Sequence, residues 1–127
     1  MSKKRQPCGL WSSPIDASTI GRQLSLKDVQ WAAGGNALVW HEASDGFGQL
    51  KVSLFGDGAK PISGSVDVSG NVGYGGGAFT TVDETVFFAG DDGKLHRAKL
   101  DGAGPQPITP GYGGVASPAA SPDGEWV

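Results

Sequence analysis

Apolar and polar positions alternate over several short stretches of this chain, which is the pattern of half-buried β-strands. The clearest example is segment 50–54, where apolar residues at the even positions alternate with Lys51 and Ser53. β-Branched and aromatic residues dominate the other apolar runs, and these residue types favour strands. The runs predict further strands over residues 28–33, 37–41, 78–82, 85–88 and 95–100.

Turn-forming residues separate the predicted strands. Their composition predicts turns at residues 34–36, 83–84 and 121–124. Asp92 and Gly93 predict a two-residue hairpin, because Asp-Gly supplies the positive φ angles that such a turn requires. Residues 41–49 are predicted to form a longer loop. The sequence thus predicts antiparallel meanders, in which each strand pairs with the next one along the chain.

The strand pattern occurs twice, at a spacing of 46 to 48 residues. Trp31 and Leu38 lie 48 positions before Phe79 and Val86, and Leu50 lies 46 positions before His96. All-strand repeats of about 40–50 residues are typical of β-propeller blades. The aromatic residues at repeated positions are expected in the core, with a ligand-stacking surface as the alternative; they are Trp31, Trp40, Phe79 and Phe88.

The predicted fold is all-β: a partial β-propeller of about two antiparallel blades and the start of a third. Residues 1–23 are expected to form an extended segment with a short helix, and residues 24–127 the incomplete propeller. The blade-like units cover about 28–63, 74–109 and 117–127. A propeller needs roughly four to eight blades to close, so the chain is expected to be the front of a longer protein.

Composition excludes some classes of function. The net charge is −3 and only 18% of residues are charged, whereas a nucleic-acid-binding surface needs a clustered basic face. No segment approaches the roughly 20 apolar residues of a membrane helix. The basic cluster at residues 3–5 is not followed by the apolar run of a signal peptide, which favours a cytoplasmic location. Cys8 is the single cysteine, so an internal disulfide is impossible.

Few residues of the sequence suggest a catalytic, nucleotide-binding or metal-binding role. His41 and His96 are the two histidines; a Ser-His-Asp site using either is left open, but ordinary half-buried histidines are favoured. The glycine-rich segment 73–77 is followed by a strand, whereas a phosphate-binding loop needs a helix there, so close backbone packing is predicted. Segment 91–93 lacks the ligand array of a calcium loop and predicts a hairpin turn. No catalytic residue, cofactor or metal is expected.

Four short motifs occur in an order that resembles one enzyme family. They are Leu-Trp-Ser-Ser-Pro-Ile at 10–15, Leu-Ser-Leu-Lys-Asp-Val-Gln-Trp at 24–31, Tyr-Gly-Gly-Gly-Ala-Phe at 74–79 and Ser-Pro-Asp-Gly at 121–124. Together they resemble the amino-terminal β-propeller of prolyl oligopeptidase-family serine peptidases, of the acylaminoacyl-peptidase or dipeptidyl-aminopeptidase type. The residues that carry the resemblance are Trp11, Pro14, Trp31, Tyr74, Gly75, Gly76, Gly77, Phe79, Pro122, Asp123 and Gly124.

The resemblance implies a hydrolase in which the propeller caps an α/β-hydrolase domain and admits only short peptides. The family's catalytic Ser, Asp and His belong to that domain, which this chain lacks, so the chain alone is expected to be inactive. Its expected partners are the rest of the propeller, the hydrolase domain and short peptides. Relatives often have His-Glu before Tyr-Gly-Gly-Gly, where this chain has Val72 and Gly73. The alternatives are a TolB-like binding or scaffold propeller, and a small β-sheet protein that dimerises through an open edge.

Overall fold

Eight strands make up the computed structural model, which describes residues 24–70, 72 and 77–127. They form two four-stranded sheets, with the orders β1-β2-β3-β4 and β5-β6-β7-β8. Every pairing is antiparallel and joins strands that follow each other in the sequence, which confirms the predicted all-β class and the meanders. The strands are β1 Ser25–Ala32, β2 Ala37–Ser44, β3 Phe47–Leu54, β4 Lys60–Pro61, β5 Phe79–Val82, β6 Thr85–Ala89, β7 Leu95–Lys99 and β8 Gln106–Pro107. The segment expected before residue 24 lies outside the described residues.

The prediction of a long loop over residues 41–49 was wrong. Strands β2 and β3 stay paired up to Ser44 and Phe47, and only Asp45 and Gly46 form the turn. Both turn residues have positive φ, 53° and 81°, as a two-residue hairpin with matching twist requires. In the first unit the strands, and not the loop between them, are therefore longer than in the second unit.

The turn between β6 and β7 is wider than the predicted two-residue hairpin. The N–H of Gly93 donates to the carbonyl of Gly90 at 3.1 Å, and the N–H of Gly90 donates to the carbonyl of Lys94 at 3.0 Å. Gly93 has a φ of 72°, while Asp92 is not in the left-handed region. This is the geometry of a three-residue loop closed by a left-handed glycine.

The core lies between the two sheets and draws on both of them. Its largest fully buried apolar side chains are Val39, Leu50, Val52, Val86 and Phe88. Burial of each such side chain stabilises the fold by about 1.5–3 kcal/mol relative to exposure. The sheets come closest at their first strands, β1 and β5.

The strand pairing corrects the spacing of the repeat by one residue. Val39 pairs with Val52, and Val86 pairs with Ala98. Since Val52 and Ala98 are 46 residues apart, Val39 corresponds to Val86, and the spacing in the second strand is 47 residues rather than 48. A one-residue shift moves a side chain to the opposite face of a sheet, so the predicted match of Leu38 with Val86 joined residues from opposite faces.

The four aromatic residues that the sequence spacing matched in the repeat have different surroundings. Phe79 and Phe88 are in the core, as predicted. Trp31 is 61% exposed and Trp40 is half-buried, so the prediction that they join the core was wrong. Both tryptophans lie on the outer face of the first sheet, where Trp31 stacks on Phe55 with ring centroids 6.4 Å apart.

Residues 62–70 connect the sheets by backbone hydrogen bonds to both of them. The N–H of Val68 donates to the carbonyl of Gly48 in the first sheet, and the N–H of Ser69 donates to the carbonyl of Ala89 in the second. Val68 also forms an isolated bridge with Gly90. The connection thus crosses the boundary between the sheets at the end that carries their β2–β3 and β6–β7 turns.

The predicted turn at residues 121–124 is present, but no strand follows it among residues 125–127. The N–H of Gly124 donates to the carbonyl of Ser121, and the N–H of Trp126 donates to the hydroxyl of the same serine. Trp126 is 74% exposed. Within the described residues, the third unit is therefore a turn and not a strand pair.

Candidate functional site

Five ionisable side chains line a cleft of about 510 Å³ between the two sheets: Lys27, Asp28, His41, Asp67 and Asp91. His41 is part of its wall and is 92% buried, since it is only 8% exposed. Strand pairing places His41 between Asp28 of β1 and Leu50 of β3 on the inner face of the first sheet. Asp67, from the connection between the sheets, and Asp91, from the β6–β7 turn, complete the acidic part of the lining.

Gly48 allows the connection between the sheets, residues 62–70, to lie close to His41. A Cβ atom on Gly48 would overlap the backbone carbonyl of Val68 and would lie 2.8 Å from Nε2 of His41. The N–H of Gly48 donates to Oδ1 of Asp67 at 2.7 Å. The absence of a side chain at this position therefore brings His41 and Asp67 to the same side of the cleft.

Burial lowers the pKa of His41 below its ordinary value, because a charged imidazole loses hydration there. The positive charge of Lys27 acts in the same direction, while the Val68 carbonyl and the carboxylates of Asp28 and Asp67 oppose it. Although the Val68 carbonyl is near the ring, Nε2 of His41 is buried and has no hydrogen-bond partner. The ring therefore has hydrogen-bonding capacity that the protein does not use.

His96 has a different environment, in which a carboxylate and an aromatic ring hold it. Its Nε2 lies 3.1 Å from both carboxylate oxygens of Asp92, and its ring stacks on Phe88 with centroids 5.3 Å apart. Burial would raise the pKa of Asp92, but hydrogen bonds from His96 and from the N–H of Lys94 lower it overall. An ionised carboxylate can only accept, so Nε2 of His96 carries the proton.

Neither histidine has the partners of a hydrolytic triad in the described part of the chain. No hydrogen bond there joins a serine hydroxyl to His41 or His96. Ser63, the buried serine of the core region, instead accepts the N–H of Leu50 at 3.0 Å. The contacts of His96 stabilise the β6–β7 turn, and this is the structural role that the sequence favours.

Segment 91–93 forms a hairpin turn, as predicted, with three loop residues rather than two. Within residues 24–70, 72 and 77–127, no three His, Cys, Asp or Glu side chains are arranged to hold a metal ion. Across the same residues, the structure has no helix with the length and apolar composition needed to cross a membrane.

Only some of the residues that carry the family resemblance belong to the part of the chain that the structure describes. Trp11, Pro14, Tyr74, Gly75 and Gly76 lie outside the described residues. Trp31 is on the outer face of the first sheet and Phe79 is in the core.

The remaining motif residues belong to the carboxy-terminal segment and its anchor. Gly77 exchanges two hydrogen bonds with Ser117, through its own N–H and carbonyl. Asp123 accepts the hydroxyl of Ser121 and the N–H of Glu125, which fixes the turn formed with Pro122 and Gly124.

An exposed apolar surface covers the outer face of the first sheet. Leu26, Val29, Trp31 and Phe55 are each more than half exposed. Leu26 and Val29 also form the walls of a groove of about 430 Å³, together with Leu38 and Trp40. Sequence alternation predicted the strands but not this surface, because alternation does not reveal whether a second layer covers each face.

Sequence reasoning also missed the cleft. Its acidic residues come from a strand, a connection and a turn that are far apart in the chain, so no local spacing marks them. The comparison of this chain with protein-family models, curated proteins and solved structures gave no match.

Proposed function

We propose that the two sheets are neighbouring blades of a β-propeller. The main support for the proposal is that hydrogen bonds join β1 and β5, the first strands of the two sheets. Gln30 Nε2 donates to the carbonyl of Phe79 at 3.0 Å, and the hydroxyl of Thr81 donates to the carbonyl of Trp31 at 2.9 Å. The N–H of Ala33 also donates to the carbonyl of Asp83.

These hydrogen bonds join residues at increasing positions on both strands, so β1 and β5 run side by side in the same direction. Radial repetition of four-stranded meanders around an axis produces this relation, because the innermost strands of successive blades are then parallel neighbours. The packing of one face of the first sheet on the second also supports the proposal, since propeller blades pack face to face.

The outer face of the first sheet fits the same arrangement. Its exposed apolar residues include Leu26, Val29 and Trp31, which would be covered if another blade packed there as the second sheet packs on the inner face. Contiguous exposed apolar surface on a protein of this size commonly marks an interaction site.

The function that we propose for this propeller is control of access in a serine peptidase of the prolyl oligopeptidase family. Two observations support this function: the order of the four sequence motifs, and the side-by-side, parallel arrangement of β1 and β5. The propeller would stand over a hydrolase domain, admit short peptides and exclude folded proteins by its size. The chain itself would supply no catalytic group, and its location would be cytoplasmic.

Two experiments test the proposed function. The purified chain should hydrolyse neither aminoacyl nor acylaminoacyl chromogenic substrates, and turnover that persists through purification would overturn the proposal. The coding sequence downstream of Val127 should encode a Gly-x-Ser-x-Gly motif followed by Asp and His. Further blades without that motif would favour a TolB-like scaffold propeller instead.

The mass of the chain in solution tests the remaining alternative. A stable dimer that persists after the outer face of the first sheet is made polar would favour a self-contained β-sheet protein pairing through a strand edge. A monomer after that change is the result that the propeller proposal expects.

A further inference from the structure

An aspartate is followed directly by a glycine at five places in the chain. This pair is prone to a spontaneous reaction, because glycine has no side chain to hinder attack of its backbone nitrogen on the aspartate carboxyl group. The product is isoaspartate, in which the backbone runs through the former aspartate side chain. The five pairs are Asp45-Gly46, Asp57-Gly58, Asp92-Gly93, Asp101-Gly102 and Asp123-Gly124.

Hydrogen bonds hold both reacting groups in three of these pairs. The N–H groups of Gly93, Gly102 and Gly124 each donate to the carbonyl three residues earlier, at 2.9–3.2 Å. The carboxylate that precedes each of these glycines accepts a backbone N–H from a residue that follows. The nitrogen and the carboxyl group must both leave these partners before they can react with each other.

The other two pairs lack both restraints. No described residue accepts the N–H of Gly46 or Gly58, and none donates a hydrogen bond to the carboxylate of Asp45 or Asp57. All four residues are exposed. A Cβ atom added to either glycine would have no atom within 4 Å, so the surroundings leave room for the reaction.

The hairpin between β2 and β3 restrains the first of these pairs. Ring closure requires rotation about the Cα–C bond of the aspartate, which moves the peptide group that follows. Asp45 and Gly46 are the whole loop of this hairpin, and the flanking residues Ser44 and Phe47 are paired with each other. Rotation at Asp45 would therefore disrupt the strand pairing next to it.

The backbone after Asp57 is less restrained. Strand pairing resumes only at Lys60, and no described residue accepts the N–H of Ala59. The peptide group after Asp57 has one restraint, because the exposed hydroxyl of Ser53 donates to the Asp57 carbonyl at 3.1 Å. The fold therefore leaves Asp57-Gly58 as the pair with the greatest freedom to react.

We propose that Asp57 is a site of spontaneous isomerisation to isoaspartate. The nitrogen of Gly58 attacks Cγ of Asp57, an N–Cγ bond forms, and one carboxyl oxygen leaves as water. Water then opens the resulting succinimide ring. Cleavage of the N–Cγ bond restores aspartate, whereas cleavage of the original peptide C–N bond gives isoaspartate with a free α-carboxylate. The water lost in the first step is regained in the second, so no other reactant is needed. This inference does not depend on the proposed function.

The isomerisation changes the connection between β3 and β4. Isoaspartate adds one atom to the backbone, since the chain then passes through Cβ and Cγ. Strand β4 pairs with only two residues of β3, Lys51 and Val52, and the next residue, Ile62, is buried in the core. The added atom therefore lies in the short link that sets the position of β4.

The test is a long incubation of the full chain at neutral pH and physiological temperature. Proteolysis and electron-transfer mass spectrometry then locate isoaspartate, and protein isoaspartyl methyltransferase with labelled S-adenosylmethionine measures its total amount. Isoaspartate should form faster at Asp57 than at Asp92, Asp101 and Asp123. The difference should be at least about 2- to 10-fold, the effect of one typical internal hydrogen bond on an equilibrium. Asp45 should also react more slowly than Asp57.

A parallel incubation in urea separates the fold from the local sequence. Each of the five aspartates precedes a glycine, so their rates should become similar once the chain is unfolded. The same order of rates in urea as in the folded chain would overturn the proposal, since hydrogen bonds of the fold would then not select the site.

The variant Gly58→Ala should abolish most of the isomerisation at Asp57, because the new methyl group hinders attack by the nitrogen. The fold should tolerate it, since φ at Gly58 is not positive and no atom lies within 4 Å of the added Cβ. Gly104→Ala, the same change at another open position, is the matched control and should leave the rate unchanged. An unchanged rate in Gly58→Ala, or no excess of isoaspartate at Asp57 over the other four sites, would overturn the proposal.

Discussion

Nε2 of His96 donates its proton to the carboxylate of Asp92, four residues earlier in the chain, with both oxygens at 3.1 Å. This contact closes the three-residue turn between β6 and β7 over the buried ring of Phe88. A Cβ on Gly90 would lie 2.5 Å from Oδ1 of Asp92, so the absence of a side chain at Gly90 makes room for the contact. Local turn geometry and core packing are thus coupled through the hydrogen bond between His96 and Asp92.

The variant Asp92→Asn should lower the free energy of unfolding by about 1 kcal/mol. Hydrogen bonds to charged groups contribute about 1.5–3 kcal/mol, but the Asp92 side chain is 38% exposed and solvent screens part of the interaction. Urea denaturation followed by circular dichroism measures the change. The control is Asp57→Asn, which removes the same charge from a turn without a histidine and should have little effect.

The contribution of Asp92 to stability should depend on pH in one direction. Its pKa is lower in the folded state than the ordinary value of 3.8, so folding favours the ionised form. The stabilisation is fully present above about pH 4 and is lost as the pH falls through the folded-state pKa. The difference between the native chain and Asp92→Asn should therefore be complete at pH 5 and shrink as the pH approaches 3. A difference that grows on acidification would contradict this assignment.

Gly48→Ala should destabilise the protein by about 1–3 kcal/mol, the usual cost of overpacking. The new methyl group would overlap the Val68 carbonyl, which is backbone and cannot rotate away. Gly104→Ala is a matched control, because no atom lies within 4 Å of its added Cβ and its φ is not positive. Thermal denaturation measures the melting temperatures of both variants. Equal values would show that the connection between the sheets, residues 62–70, does not pack on Gly48.

Phe88→Ala should cost about 3–5 kcal/mol, because it removes a fully buried ring from the centre of the core. Phe87→Ala changes the neighbouring residue, whose side chain points to the opposite face and is only half-buried, and should cost clearly less. If Phe88→Ala does not fold, Phe88→Leu should still be less stable than the native chain. Chemical denaturation measures the free energy of unfolding of each variant. A larger decrease for Phe87→Ala than for Phe88→Ala would show that Phe87, and not Phe88, lies on the buried face of β6.

Leu26→Gln combined with Val29→Thr should reduce the fluorescence of a bound hydrophobic dye. Both side chains are more than half exposed in this chain, so the free energy of unfolding should change by no more than about 0.5 kcal/mol. Loss of more than about 2 kcal/mol would instead show that another layer covers this face in solution. Lys94→Gln, at a side chain that is 40% exposed and outside the groove, provides the reference for dye binding.

The sequence by itself determined the all-β class, the existence of the main strands and the order of their pairing. It could do so because strand propensity and turn chemistry are local: segment 50–54 alternates in a single stretch, and each short turn forces neighbouring strands to pair. It also placed Phe79 and Phe88 in the core, since large apolar residues within strands are usually buried.

Only the tertiary structure decided which face of each strand is covered. Leu38 and Val39 are adjacent and both apolar, so the sequence could not show that Val39 is the buried one; its pairing with Val52 and the packing of the second sheet decide that. The cleft depends on the same long-range packing, because His41, Asp67 and Asp91 belong to elements that meet only after the two sheets associate. Contacts between distant segments depend on how whole faces fit together, and that fit is not encoded in any short stretch of sequence.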